Sequence, residues 1–223
     1  MERKYKLTDE HIQYNGHKLY QIQALKSFAD VKEGDFGGYI ESEDNLSHIG
    51  MCWVYGNAVV YGNAVVLSNA KVYDEVNVFG NATVSSNASV YGNAKIYSNA
   101  EVYGNAKIYS NAEVNGNAKI FGNAVVYGNA KIYGNANVYG NAEVYGNAAI
   151  CENTDYIVFK NWWSSGRYFT WTRSNNMWKV GCFYGTGEEL IMKAYNDSKE
   201  SGREYERVVK YVESILADDN YAE

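Results

Sequence analysis

Proline is absent from the chain, so every change of direction is left to other residues, and 21 glycines are there to supply corners. Long apolar runs are missing as well. None approaches the ~20 residues that a membrane-spanning helix needs, and no membrane partner is expected. The opening Met1-Glu2-Arg3-Lys4-Tyr5-Lys6 leads into polar sequence and not into the apolar core of a secretory signal, which points to a cytoplasmic protein. Cysteine is scarce. Cys52, Cys151 and Cys182 are odd in number, widely spaced and never part of a CxxC, so neither a disulfide framework nor a zinc site is indicated.

Basic charge is nowhere concentrated. The net charge of −6 arises at the two ends, because between residues 51 and 150 Lys71, Lys95, Lys107, Lys119 and Lys131 balance Asp74, Glu75, Glu101, Glu113 and Glu143. A stripe that would neutralise phosphates is missing, which excludes nucleic acid as a partner, and the acid is too sparse to mimic one. Histidine is confined to His11, His17 and His48, the only imidazoles available as a general base. No GxGxxG, Walker sequence, GxSxG or HExxH occurs, so none of the common catalytic or phosphate-binding signatures applies.

What is present is a hexapeptide repeated from Val54 to Ile150 without insertion or deletion, as in Val54-Tyr55-Gly56-Asn57-Ala58-Val59 followed by Val60-Tyr61-Gly62-Asn63-Ala64-Val65. A strict short period specifies a solenoid. Side chains alternate along a strand, so Ala124 and Val126 point one way and Val125 and Tyr127 the other. Gly128-Asn129 is turn chemistry, since Gly has no Cβ and Asn tolerates the left-handed region. An interior of Ala and Val or Ile is narrow, with no room for a buried ligand. Each buried Val or Ile contributes about 1.5–3 kcal/mol. At Asp74-Glu75-Val76, which replaces Gly-Asn-Ala, a Glu in the left-handed region predicts a distorted corner, with Val76 filling the Ala column.

This pattern resembles the hexapeptide-repeat, left-handed parallel β-helix family, in which an aliphatic residue is followed four positions later by a small one. The resemblance implies three hexapeptides per coil, left-handed crossovers and stacking of positions one coil apart. In-register Asn from Asn45 to Asn153, skipping Met51 and Glu75, then implies roughly six coils at the usual strand spacing of about 4.8 Å. The same resemblance implies an acyltransferase using acetyl-CoA or another acyl-CoA, with a His base near the neighbouring subunit of a trimer. The chain departs from it: no loop interrupts the coils, no His follows His48, and Tyr holds the position after the aliphatic residue. His48, at the aliphatic register position of Asn45-Leu46-Ser47-His48-Ile49-Gly50, is the one weak candidate base, and a structural role at the end of the tube is the simpler reading.

Stacking at that period puts Tyr55, Tyr73, Tyr91, Tyr109, Tyr127 and Tyr145 in one unbroken outward column, beside a second column of Trp53, Lys71, Ser89, Lys107, Val125 and Glu143. Stacked aromatics favour strand pairing in any case. A continuous exposed ridge of them also marks a contact surface, for a protein partner or for self-association as a dimer or trimer.

The flanks differ from the repeat. Alternating apolar residues from Ile12 to Ile22 surround Asn15-Gly16, the strongest short hairpin signal, and residues 1–38 read as a hairpin cap over the edges of a solenoid at 39–155. Residues 156–223 read as a βββα module: strands over Tyr156 to Lys160, Arg167 to Arg173 and Met177 to Tyr184, then a helix opened by a capping box at Thr186 and Glu189 and interrupted near Gly202. Trp171 and Trp178 suit its core. Trp162 and Trp163, beside Ser164-Ser165-Gly166-Arg167, suggest an aromatic recognition patch with Arg167, able to stack on a nucleotide or sugar.

The whole chain also looks like a group of uncharacterised bacterial and phage proteins with YGNA-type repeats, some labelled transferases by fold. Gly37-Gly38-Tyr39-Ile40-Glu41-Ser42-Glu43-Asp44-Asn45-Leu46 and Val180-Gly181-Cys182-Phe183-Tyr184-Gly185-Thr186 carry that likeness. A phage setting implies action on a host protein or pathway. The leading expectation is therefore a non-catalytic scaffold or binding protein with no cofactor. An acyl-CoA-dependent acyltransferase is the alternative, and capture of a small ligand the third.

Overall fold

The computed structural model describes residues 3–219, and the described chain divides at Asp155/Tyr156 into two compact units. The first is a parallel β-solenoid. Each hexapeptide contributes a two-residue strand, and strands one coil apart pair in register, as Ser89 with Lys107 and Val90 with Ile108. Three faces result. One sheet runs from Trp53–Val54 to Glu143–Val144 in six strands, which sets the number of coils at about six. A second runs in five strands from Val65–Val66 to Asn137–Val138. The third starts at Val59–Val60 and ends at Ala149–Ile150.

The alternation seen in the sequence decides what is buried. Ala58, Val60, Ala64, Val66 and their successors down to Ala148 and Ile150 are fully buried, Val76 among them in the Ala column. The corners are built differently from expectation. Only the first residue of each Gly-Asn pair holds the left-handed backbone, and Ser68, Ser86, Ser98 and Ser110 stand in for Gly with φ near 60°. The Asn instead links the coils, its side-chain amide donating to the Asn one coil on, as from Asn63 to Asn81 at 3.0 Å and from Asn81 to Asn99 at 2.9 Å. The Asp74-Glu75 corner obeys the same rule and is not distorted. Asp74, not Glu75, is left-handed (φ 59°), and Glu75 accepts from the Asn57 amide at 2.8 Å, joining the ladder.

Before the coils lie β1 (Tyr5–Tyr14), β2 (His17–Ala24) and β3 (Phe36–Ile40). Asn15 and Gly16, both at positive φ, close the expected hairpin. It does more than cap an edge. β3 pairs antiparallel with β2 and parallel with Val59–Val60, so the hairpin extends one solenoid face to nine strands. Gly37 and Gly38 permit the close approach, since a Cβ would stand 2.5 Å from the Val54 carbonyl oxygen at the first and 2.4 Å from that of Ala58 at the second. The hairpin tip lies on the outer surface, where Leu19 packs with Val59 and Tyr61.

The second unit has four antiparallel strands, Tyr156–Lys160, Tyr168–Thr172, Met177–Val180 and Phe183–Gly185, because a turn at Gly181 divides the last expected strand. Two helices follow, α1 (Gly187–Asp197) and α2 (Lys199–Asp219). The capping box forms as read: Thr186 Oγ1 accepts the Glu189 N–H at 3.3 Å, and the Glu189 carboxylate accepts that of Thr186 at 2.8 Å. The helical break falls at Ser198 and not at Gly202, which lies inside α2. Phe169, Trp171, Trp178, Val180, Leu190, Val209 and Val212 form the core.

Candidate functional site

The tyrosine column occupies the six-stranded face, and all six rings are half-exposed. Each follows a buried Val or Ile at a strand end, so the coil spacing delivers ring onto ring. Tyr91 stacks on Tyr109 at 4.8 Å, Tyr109 on Tyr127 at 4.7 Å, and Tyr127 on Tyr145 at 4.4 Å. Tyr55 stacks on Tyr73 at 4.4 Å. The expected continuity is broken once: among the described residues no ring stack joins Tyr73 to Tyr91.

The break has a local cause. Asp30, in the segment between β2 and β3, accepts a hydrogen bond from the Tyr55 hydroxyl at 2.9 Å and pairs with Lys71 at 2.6 Å, whose ammonium also lies over the Tyr55 ring at 5.8 Å. The upper two rings are thereby held with the N-terminal segment, while the lower four follow the coils. The Lys71 hydrogen bond holds the Asp30 carboxyl below its usual range, burial working against it, and the same bond raises Lys71. At the break Tyr73, Asp74, Ser89, Tyr91 and Lys107 line a shallow recess of about 400 Å³. Asp74 spends one oxygen on the Gly92 N–H at 2.9 Å. The recess thus offers two aromatic walls, a hydroxyl, a carboxylate and a lysine ammonium.

Trp53 does not belong to this surface. It is 1% exposed, with Tyr5 and Phe28 edge-on to its ring at 6.1 and 5.4 Å. The outward column reads correctly in register, but the N-terminal residues fold over its first member.

His48 is partly covered, its side chain 21% exposed. Its ring stacks on Tyr5 at 4.3 Å, Nδ1 accepts the Lys4 N–H at 3.2 Å, and the buried Nε2 faces a Glu43 carboxylate oxygen at 3.5 Å, beyond a good hydrogen bond. His17 pairs with Glu41 at 2.9 Å and leans on Tyr61 at 4.9 Å. His11 is exposed, its ring nitrogen 2.9 Å from the Asp9 carbonyl.

In the second unit the adjacent tryptophans part company. Trp162 is 80% exposed, whereas Trp163 packs on Phe169 and Tyr205 at 5.9 and 5.7 Å with its Nε1 buried. The two rings meet edge to face at 89° and present no common platform. Arg167 lies instead at a pocket of about 180 Å³ with Val180, Leu190, Lys193, Asp197 and Tyr205. Trp171 and Trp178 are core residues as read, Trp171 donating to Asn176 at 2.8 Å. Among the described residues no three His, Cys, Asp or Glu side chains gather as a metal site, and no helix is long and apolar enough to cross a membrane.

A family described as YdcK Beta solenoid repeat matches residues 54–68, the opening hexapeptides. The uncharacterized acetyltransferase YdcK of Escherichia coli (strain K12) is 40% identical over 68 residues, 26% of this chain and 21% of that protein. These matches fit a hexapeptide-repeat β-helix family. The chain spans about a fifth of the length of this relative.

Sequence reasoning located the column but not the recess. Ser89 and Lys107 were legible as outward neighbours because the period places them there. Asp30 was not, since 41 residues separate it from Lys71 and no local pattern announces the pairing.

Proposed function

We propose that the solenoid is a binding scaffold and that its tyrosine face engages a protein partner. One observation carries the reading: the stacked quartet Tyr91, Tyr109, Tyr127 and Tyr145 stands half-exposed beside a recess lined by Lys107. Stacked rings mounted on a close-packed coil are already immobilised, so a partner meets a large amphipathic surface at little entropic cost. Aromatic residues of this kind dominate binding hot spots. The three steps of the quartet extend about 14 Å at the usual strand spacing, a fitting core for a standard interface patch.

The test is the double variant Tyr91→Lys, Tyr109→Lys. It should lose a partner that the unaltered chain retains from lysate, or a self-assembled mass in sedimentation, while its circular dichroism remains that of the folded solenoid. A variant that keeps the same partners and the same mass overturns the proposal.

The relative's description as an uncharacterized acetyltransferase suggests a second reading, an acyl-CoA-dependent acyltransferase. Its base would have to be His48, whose Nδ1 is occupied by the Lys4 N–H and whose ring is stacked on Tyr5. A thermal-shift titration with acetyl-CoA separates the two: a saturable rise in melting temperature supports the enzyme, and none is expected of the scaffold.

A further inference from the structure

Lys4 is a buried lysine whose side-chain nitrogen lies against a buried thiol. It is 1% exposed, and Cys52 beside it is fully buried. Its Nζ donates to the Cys52 carbonyl at 2.8 Å and to that of Gly50 at 3.4 Å, lies 3.2 Å from Cys52 Sγ, and sits 5.1 Å above the Phe28 ring. Among the described residues no carboxylate pairs with it. Burial drives Lys4 below its ordinary value, with the thiol opposing, and burial pushes Cys52 up. Both shifts favour neutral partners. Nζ thus faces three acceptors, the two carbonyls and the Cys52 sulfur, and its lowered value brings the nucleophilic amine form within easier reach. The thiol has its own outlet toward the Ser47 carbonyl at 3.4 Å.

We propose that this pair is an oxidation-driven cross-link site, in which a peroxide joins Lys4 Nζ to Cys52 Sγ through a nitrogen–sulfur bond. The peroxide first converts the thiol to a sulfenic acid and leaves as water. Nζ then attacks sulfur, the S–O bond breaks, and the departing hydroxide takes a proton from nitrogen to give a second water. The sum is R–NH2 + HS–R′ + H2O2 → R–NH–S–R′ + 2 H2O, in which sulfur loses two electrons and the peroxide gains them. Condensation of a sulfenic acid with a nitrogen is a known branch of thiol oxidation.

A buried thiol reacts slowly, so the oxidant must wait for a local opening. At the start of β1 such an opening would have to break the Arg3–Glu43 ion pair, the Lys4 N–H bond to His48 and the Leu25 N–H bond to the Lys4 carbonyl. Reclosing returns Nζ to the oxidised sulfur. The bond would close a loop of 48 residues and pin β1 to the first coil.

The experiment uses the full chain carrying Cys151→Ser and Cys182→Ser, treated with graded hydrogen peroxide and digested with trypsin without reductant. The expected product joins the segment containing Lys4 to the one containing Cys52, is lighter than their sum by two hydrogen atoms, resists cleavage after Lys4, and separates with dithiothreitol. The oxidised protein should melt at a higher temperature than the reduced one. Lys4→Met in the same background should give no linked product and should instead accumulate oxygen on Cys52. Two results would overturn the proposal: oxygen adducts on Cys52 in unlinked peptides of the Lys4-containing protein, or a Cys52 still reduced at peroxide levels that oxidise the exposed Cys182 of the parent chain.

Discussion

Asp74 takes the left-handed backbone that Gly or Ser holds at other corners, and its carboxylate accepts the Gly92 N–H in return. From sequence alone Glu75 looked like the strained residue, because both members of a Gly-Asn pair tolerate positive φ. Only the backbone shows that the first residue turns and the second joins the amide ladder. His48 is similar: its register place was legible, its partners were not. Removing it as His48→Ala strands the Lys4 N–H and the Tyr5 ring face in a buried setting, which should cost about 2–4 kcal/mol. Urea denaturation checks this. A variant of unchanged stability that had lost an acyltransferase activity would restore the imidazole to a catalytic role.

Among elements, the segment between β2 and β3 is tied to the tyrosine face through Asp30. Because its folded pKa is depressed, chiefly by Lys71, the tie stabilises above the unfolded carboxylate value of about 3.9 and is lost as pH falls through the lower folded value. Asp30→Asn should therefore melt below the parent at neutral pH, by no more than about 1 kcal/mol for so exposed a pair, and the gap should close in acid. A gap independent of pH would contradict the assignment. The α1–α2 corner invites a test of opposite sign to the usual rule. Ala normally stabilises a helix by about 1 kcal/mol over Gly, but a Cβ at Gly202 would stand 2.3 Å from the Tyr195 ring. Gly202→Ala should lower the melting temperature and free Tyr195 from Glu206, its hydrogen-bond partner at 2.7 Å. A rise would mean that the ring has room to move.

At the scale of the molecule, the solenoid unit separates what stabilises it from what it displays. From Val54 to Ile150 its inward positions are Ala, Val and Ile, so outward residues are free to vary without unravelling the coils. Tyr91→Lys with Tyr109→Lys removes two ring stacks, each worth roughly 0.2–1 kcal/mol as a cross-strand pair, and the variant should stay folded with a slightly lower urea midpoint. A collapse of the coils would show that the ridge is part of the structural framework and not a displayed surface.

Period and alternation were enough to determine the solenoid, the family resemblance implied its three faces and about six coils, and local turn and cap residues determined the hairpin at Asn15-Gly16 and the Thr186 capping box, because each depends on residues adjacent in sequence or one coil apart. What only the tertiary structure decided are the contacts between distant segments: Trp53 buried under Tyr5 and Phe28, Asp30 splitting the tyrosine column, Trp163 turned into the core away from Trp162, and Lys4 set against Cys52. No periodicity encodes these pairings. They arise when non-repeating flanks fold onto a repeating surface, and their partners are chosen by burial and hydrogen bonding at a distance.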